Sequence, residues 1–159
     1  MPALLRYRDV VIRSVASACR LIGDRERQTL NVQNSIDLSE PFDAELVSAV
    51  SEIFNNVVLH GHGGGDPGAD VAIHVEPGNH CIGVRISDTG DPFDVAAIPR
   101  PDLRALPEGG MGLHIARAFL DCLEYRPGPP NLWHLSKCME PAHELSERKD
   151  VGRRQGRVR

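Results

Sequence analysis

The chain has 159 residues, 41% of them apolar, which is enough for one α/β core and too little for two comfortable domains. No apolar run approaches the roughly 20 residues that a membrane-spanning helix needs, so a spanning segment is excluded. The formal charge of −4 conceals an asymmetry: Arg148, Lys149, Arg153, Arg154, Arg157 and Arg159 crowd the C-terminal end against Asp150, leaving the body distinctly acidic.

The opening MPALLRYRDVVIRSV sets Arg6, Arg8 and Arg13 inside the apolar pattern, unlike a secretory leader, so a soluble, cytoplasmic protein is expected. Leu4, Val11, Val15, Ala18 and Ile22 recur at helical spacing, which predicts a first amphipathic helix ending near Gly23. The polar stretch from Asp24 to Pro41 reads as an irregular connection, with a brief edge strand around Leu30 and Val32. After Pro41, Leu46, Val50, Ile53 and Val57 form a second stripe, flanked by Val47, Phe54 and Val58, and predict a strong helix ending at Gly61. The glycines of GHGGGDPG then force a turn, and ADVAIHVE and CIGVRISD read as a hairpin of adjacent strands. A proline-rich loop from Asp91 to Pro107 leads to a third helix, opened by Gly112 and running through LHIARAFLDCL. LEYRP and LWHLSKC, separated by GPPN, supply another strand pair. Cys19, Cys81, Cys122 and Cys138 form no CxxC pair and read as buried thiols. Trp133 follows simple strand alternation and suggests no binding role.

Three segments carry candidate chemistry. Glu52 and Asn56 stand at i and i+4 on one helix face, roughly opposite the apolar stripe, free to look at water or a ligand. An amide oxygen there can hold a hard cation such as Mg²⁺, and a carboxylate one turn away can orient or deprotonate a hydroxyl. Alone, this spacing is most often just a solvated polar face. Asp88 ends an apolar strand where the chain turns, with Gly90 two residues on. This is ordinary turn chemistry, or else a carboxylate that accepts from an exocyclic amine while the glycine admits a base without a Cβ clash. Gly109, Gly110 and Gly112 precede a helix and could offer backbone N–H groups to a phosphate, although such a run alone is usually a loop and helix start. Neither the P-loop fingerprint nor GxGxxG after a first strand occurs. His60 and His62 with Asp66 make a weak zinc set.

In this order the three segments resemble the GHKL ATP-binding fold shared by gyrase, the heat-shock chaperone family, sensor histidine kinases and mismatch-repair ATPases, and within it the bacterial anti-sigma serine-kinase branch. AVSEIFNNVVLHG is similar to that branch's N-box through Glu52, Asn56 and His60; ISDTGDPFD resembles the adenine-contacting box; PEGGMGLHIARAFLDCLEY resembles the lid, phosphate loop and following helix. The resemblance implies a two-layer α/β sandwich in which helices cover one face of a mixed or antiparallel sheet. It makes residues 1–140 the ATP-binding kinase domain and 141–159 a basic, disordered tail. The branch usually opens on a strand, whereas this chain reads as beginning almost directly in helix, so the segment 24–41 is the candidate substitute edge. Met111 stands where the family often has a basic residue.

The same resemblance implies Glu52 as catalytic base, Asn56 as the Mg²⁺ ligand bridging the ATP phosphates, and Asp88 as the reader of the adenine amino group with Gly90 beneath the base. Gly109, Gly110 and Gly112 serve the phosphates and the lid, and His60 shapes the phosphate side. The function implied is an ATP-dependent protein-serine kinase that phosphorylates a small antagonist protein, sequesters a sigma factor when that antagonist is absent, and so controls transcription by partner switching. An ATP- or ADP-binding regulatory module, or a switch kinase that binds no sigma factor, is the alternative. Homodimerisation is left open. Direct nucleic-acid binding rests only on the basic tail, for which a solvated end is the commoner reading.

Overall fold

A computed structural model describes residues 1–30, 41–78, 80–94 and 111–138, the side chains of 22–30 excepted. Its elements are strand β1 (Pro2–Ala3), helix α1 (Arg8–Leu30), helix α2 (Pro41–Asn56), strands β2 (Asp66–Asp70), β3 (Ala72–Pro77) and β4 (Cys81–Asp88), helix α3 (Gly112–Phe119), and strands β5 (Cys122–Arg126) and β6 (Asn131–Cys138). A four-stranded antiparallel sheet in the order β3-β4-β6-β5 forms one layer. The helices form the other. This is the expected two-layer sandwich.

Alternation along the strands decides which face is covered. Ile82, Val84 and Ile86 of β4 and Trp133 and Leu135 of β6 point to one side and are buried, together with Leu46, Ala49, Val50, Ile53, Phe54, Val57 and Val58 of α2 and the wide π-type turn that ends it. Val11, Val15 and Cys19 bring α1 onto the same core, and Leu113 and Ala116 bring α3. Removal of each large aliphatic side chain from water contributes about 1.5–3 kcal/mol, so α2, with a stripe along its whole length, is the main anchor of the helical layer. No helix among the described residues is long and apolar enough to cross a membrane.

Several sequence expectations give way to longer-range packing. Helix α1 does not stop at Gly23 but continues to Leu30, so the expected edge strand at Leu30 is helix; the rest of that expectation, residues 31–40, lies outside the described residues. The N-terminal strand thought to be missing is present, two residues long: Pro2 and Ala3 pair antiparallel with β2, and the Val71 N–H donates to the Met1 carbonyl at 2.7 Å. The DPG text that reads as a turn is therefore part of a strand. Helix α3 ends at Phe119, not at Leu123, because Cys122 and Leu123 pair with Ser136 and Leu135 of β6. The tail from 141 and most of the proline-rich loop lie outside the described residues.

The cysteines divide. Cys19 is buried beside Asp43, and desolvation, reinforced by the Asp43 charge and hydrogen bond, pushes its thiol up to about 12. Cys81 and Cys138, expected as thiols, form a disulfide across the ends of β4 and β6, and Cys122 is a half-buried free thiol. Sequence spacing is blind to this bond because its ends are 57 residues apart and meet only through strand register.

One polar clamp joins the layers. The Lys137 ammonium donates to the Phe119 carbonyl at the end of α3 at 2.7 Å and pairs with Glu45 of α2 at 2.6 Å, lying over the Phe42 ring. It thereby satisfies an end-of-helix carbonyl and complements the helix dipole. Lys137→Ala is expected to destabilise the fold by about 1.5–3 kcal/mol, the range for hydrogen bonds to a charged group, without changing the slope of a urea unfolding curve. An unchanged midpoint would show the clamp to be ornamental.

Candidate functional site

Three of the sequence-derived residues converge at the same end of the molecule. Asp88 closes β4 with its carboxylate buried, Asn56 closes α2, and the two line one small cavity with Gly61, Asp91, Phe93, Tyr125, Asn131 and Trp133. Gly90 lies at the rim, packed on Gly61 and His62.

A buried carboxylate requires partners, since an isolated charge in the interior costs several kcal/mol. Asp88 Oδ1 accepts from the Gly90 N–H at 2.8 Å, an Asx turn, and from the Asn131 amide at 3.1 Å. The same amide group donates to the Gly90 carbonyl at 2.9 Å, while Asn131 Oδ1 accepts from the Gly128 N–H at 3.1 Å. Asn131 is 1% exposed and opposes Asp88 across the β4–β6 ladder. It is the residue that sequence reading missed, because its partner lies 43 positions away.

His62 was also missed as a neighbour of Asp88. Its imidazole is buried, and Nε2 approaches Asp88 Oδ1 to 3.4 Å, close enough for a charge contact but without hydrogen-bond alignment, so Nε2 is an orphaned polar atom. His60 goes elsewhere: it is exposed, with its ring 5.6 Å from that of Phe93. The two histidines thus have different neighbours, and among the described residues no cluster of metal-ligating side chains forms.

The second half of the site is the face of α2 carrying Glu52. It is not open to water as the sequence suggested, for Glu52 and Asn56 are both half-buried, and α3 packs across α2. The Glu52 carboxylate lies directly against Gly112 at the start of α3, where an added Cβ would collide with Oε2. Gly109 and Gly110 lie outside the described residues.

Aromatic side chains wall the cavity. Trp133, 2% exposed and the chain's one tryptophan, packs on Tyr125 at 4.4 Å and Phe93 at 5.9 Å between ring centroids. The Tyr125 hydroxyl accepts from the Phe93 N–H at 2.8 Å, and the Asp91 N–H donates to the Gly61 carbonyl at 2.8 Å, tying the acidic turn to the end of α2. The space enclosed is about 10 Å³, room for about one water. Chemically the residues fit a nucleotide and its cation: a carboxylate at an apolar, aromatic wall for an amine, an orphaned imidazole nitrogen beside it, and an amide oxygen one turn from a carboxylate. In this arrangement the cavity is too small for a nucleotide base.

The family model of the histidine kinase-like ATPase domain matches residues 2–133. Among solved structures, a mycobacterial sensor histidine kinase, MprB, is similar at 19% identity and a TM-score of 0.44, covering 62% of this chain and 73% of that one. The histidine kinase domain from the Erythrobacter litoralis EL346 blue-light activated histidine kinase is similar at 14% identity and a TM-score of 0.45, covering 86% of this chain and 60% of that one. No curated protein matches.

At Gly90 an added Cβ would strike the Gly61 carbonyl, a backbone atom held by the Asp91 hydrogen bond, and would also meet His62 Nε2. Gly90→Ala is therefore expected to cost about 1–3 kcal/mol of overpacking and to alter the fluorescence of Trp133, measured by thermal melts and emission spectra. Wild-type values in both would mean that the acidic turn has slack.

Proposed function

Because the chain belongs to the histidine kinase-like ATPase domain family, which implies ATP binding, we propose that it is an ATP-dependent protein-serine kinase of the anti-sigma type. It would act on a small antagonist protein and control transcription by partner switching, with a sigma factor as its second partner. The observation that carries this reading is the Glu52 carboxylate, held against the first residue of α3 and one helical turn from Asn56, which itself lines a cavity with the buried Asp88. An ATP-dependent kinase needs these functions together: an amine acceptor for the base, an oxygen ligand for the cation, and a carboxylate near the phosphate-side backbone.

In this reading Asp88 accepts from the exocyclic amine of adenine, its orientation held by Asn131. Asn56 would hold Mg²⁺, and ATP with that ion supplies the transferable phosphoryl group. Gly112, with Gly109 and Gly110, would offer backbone N–H groups to the phosphates. Glu52 would orient or deprotonate the acceptor serine hydroxyl, taking the proton at its carboxylate as the oxygen becomes the nucleophile. His60, exposed beside Phe93, would border the site rather than enter it.

A second reading draws on the small size of the cavity. A purine is far larger than one water, so Gly61 and Phe93 must yield before a base can lie on Asp88. Such a site suits an ATP- or ADP-binding regulatory module whose output is a change in protein binding, or a switch kinase that engages no sigma factor.

Calorimetry with ATP and Mg²⁺ separates nucleotide binding from chemistry, and labelled-phosphate transfer to co-purified partners separates the two readings. Binding without transfer in the wild type would favour the module; no binding at millimolar ATP would remove both. Glu52→Ala is expected to keep ATP affinity and lose about 10²–10⁴-fold in transfer rate. Asp88→Asn should weaken nucleotide binding by about 1–3 kcal/mol. Gly112→Ala should hold or raise stability, by up to about 1 kcal/mol from helix propensity, while displacing the Glu52 carboxylate and slowing transfer. Full transfer activity in Gly112→Ala would detach Glu52 from the reaction.

A further inference from the structure

The face of the sheet away from the helices carries its own chemistry. Register sets Cys122 opposite Ser136 across β5 and β6, and Cys81 opposite Cys138 across β4 and β6. Side chains alternate along a strand, so Cys122, Ser136 and Cys138 leave the sheet on one side, and Cys81 with them. The same face carries Glu124, Arg126, Leu132 and His134 around a cavity of about 320 Å³, whereas Leu123, Tyr125, Trp133 and Leu135 turn to the core. Three of the chain's cysteines thus share an open surface, two joined as a disulfide and one a free thiol.

Cys122 is the diagonal neighbour of Cys138, a relation that sets Cα atoms roughly 7–8 Å apart, just beyond the span of a relaxed disulfide, so a bond between them draws the two strand ends together. Backbone contacts already join that corner. The Asp121 N–H donates to the Ser136 carbonyl at 3.0 Å, and Asp121 Oδ2 accepts from the Cys138 N–H at 2.6 Å, so the start of β5 is fastened to the end of β6 from both sides. Cys81 is beyond reach of Cys122, since β6 lies between β4 and β5 and each strand spacing is about 4.8 Å. Cys138 is exposed, which also opens the bond to small thiols and disulfides from solvent.

We propose that Cys122, Cys138 and Cys81 form a thiol–disulfide exchange site on the open face of the sheet, in which Cys122 attacks Cys138 and releases Cys81. The Cys122 thiol gives its proton to solvent, and its thiolate forms a new bond to Cys138 Sγ. The Cys81–Cys138 bond breaks, and its electron pair leaves on Cys81 Sγ, which takes up a proton. No oxidant or reductant is consumed. The external partners suited to the site are small thiols and disulfides of the glutathione class, which can open or reset either linkage. Exchange would move the covalent tie from the β4–β6 ladder, whose other end holds Asp88 and Asn131, to the β5–β6 ladder. Cys19 takes no part: it is buried on the inner face of α1, and its raised thiol pKa keeps it protonated and unreactive.

The test uses the full chain and non-reducing peptide mapping. Cys81→Ser treated with glutathione disulfide is expected to form an intrachain Cys122–Cys138 bond and to lose two alkylatable thiols. Cys138→Ser is expected to form only mixed disulfides with glutathione and no Cys81–Cys122 link. Wild-type protein given a trace of dithiothreitol and quenched with acid should contain both the Cys81–Cys138 and the Cys122–Cys138 linkages, which keeps the question answerable if a variant misfolds. Glutathione adducts without a Cys122–Cys138 bond in Cys81→Ser, or Cys81–Cys138 alone in the wild type after exchange, would overturn the proposal.

Discussion

The functional end of this molecule depends on one buried carboxylate. Asp88 occupies the last position of the central strand β4, 3% exposed, where an unpaired charge could not persist. Its partners come from three directions: Gly90 from its own turn, Asn131 from the neighbouring strand, and His62 from the end of α2. Satisfying that one group fixes the turn, aligns the start of β6 and seats the chain leaving α2. A change at any of the three is felt by the other two, because they meet at the same oxygen atom, Oδ1.

The two-layer packing makes this arrangement possible without specifying it. Apolar stripes on α1, α2 and α3 fix which face of the sheet is dry, and Lys137 and Glu45 fasten the far corner of the layers. What those contacts determine for the site is distance: α2 lies so that its end meets the end of β4, and α3 begins on the Glu52 face. Helix α3 is only eight residues long, and its first turn rests on a glycine because the Glu52 carboxylate fills the place of a side chain. Packing and candidate chemistry therefore compete for the same few cubic ångströms at Gly112.

The legible parts of the fold were those written in local periodicity. The stripe of α2, the hairpin of β3 and β4 and the pair β5 and β6 follow from spacing and turn residues, and Glu52, Asn56, Asp88 and Gly90 could be singled out because each sits at a recognisable place on such an element. Misreadings occur where distant pairing overrides local preference. Gly23 reads as a stop yet is passed within α1, DPG reads as a turn yet pairs with Pro2 and Ala3, and Leu123 reads as helix yet pairs with Leu135. Asn131, His62 and the Cys81–Cys138 bond had no local signal at all. Each is defined by a partner brought near through strand register or a turn, a relation that one-dimensional spacing does not carry.

The composition of the cavity wall indicates how such a site could be both ordered and narrow. Asp88, Asn131, Tyr125 and Trp133 belong to strands or their ends and are held by ladder bonds, so they form a fixed half. Gly61, Asp91 and Phe93 lie on the two connecting segments and form the other half, joined by the Asp91 to Gly61 hydrogen bond and by the ring contact of Phe93 with His60. Because the two segments are joined, widening the cavity would move both together, whereas the Asp88–Asn131 pair is also held by the β4–β6 ladder. The hydrogen bonds that would be given up are few, and the His62 nitrogen has none to lose. The His62 imidazole, packed beside Asp88 with no hydrogen bond at Nε2, is thus the one of the three neighbours of that carboxylate that can shift without breaking a hydrogen bond to it.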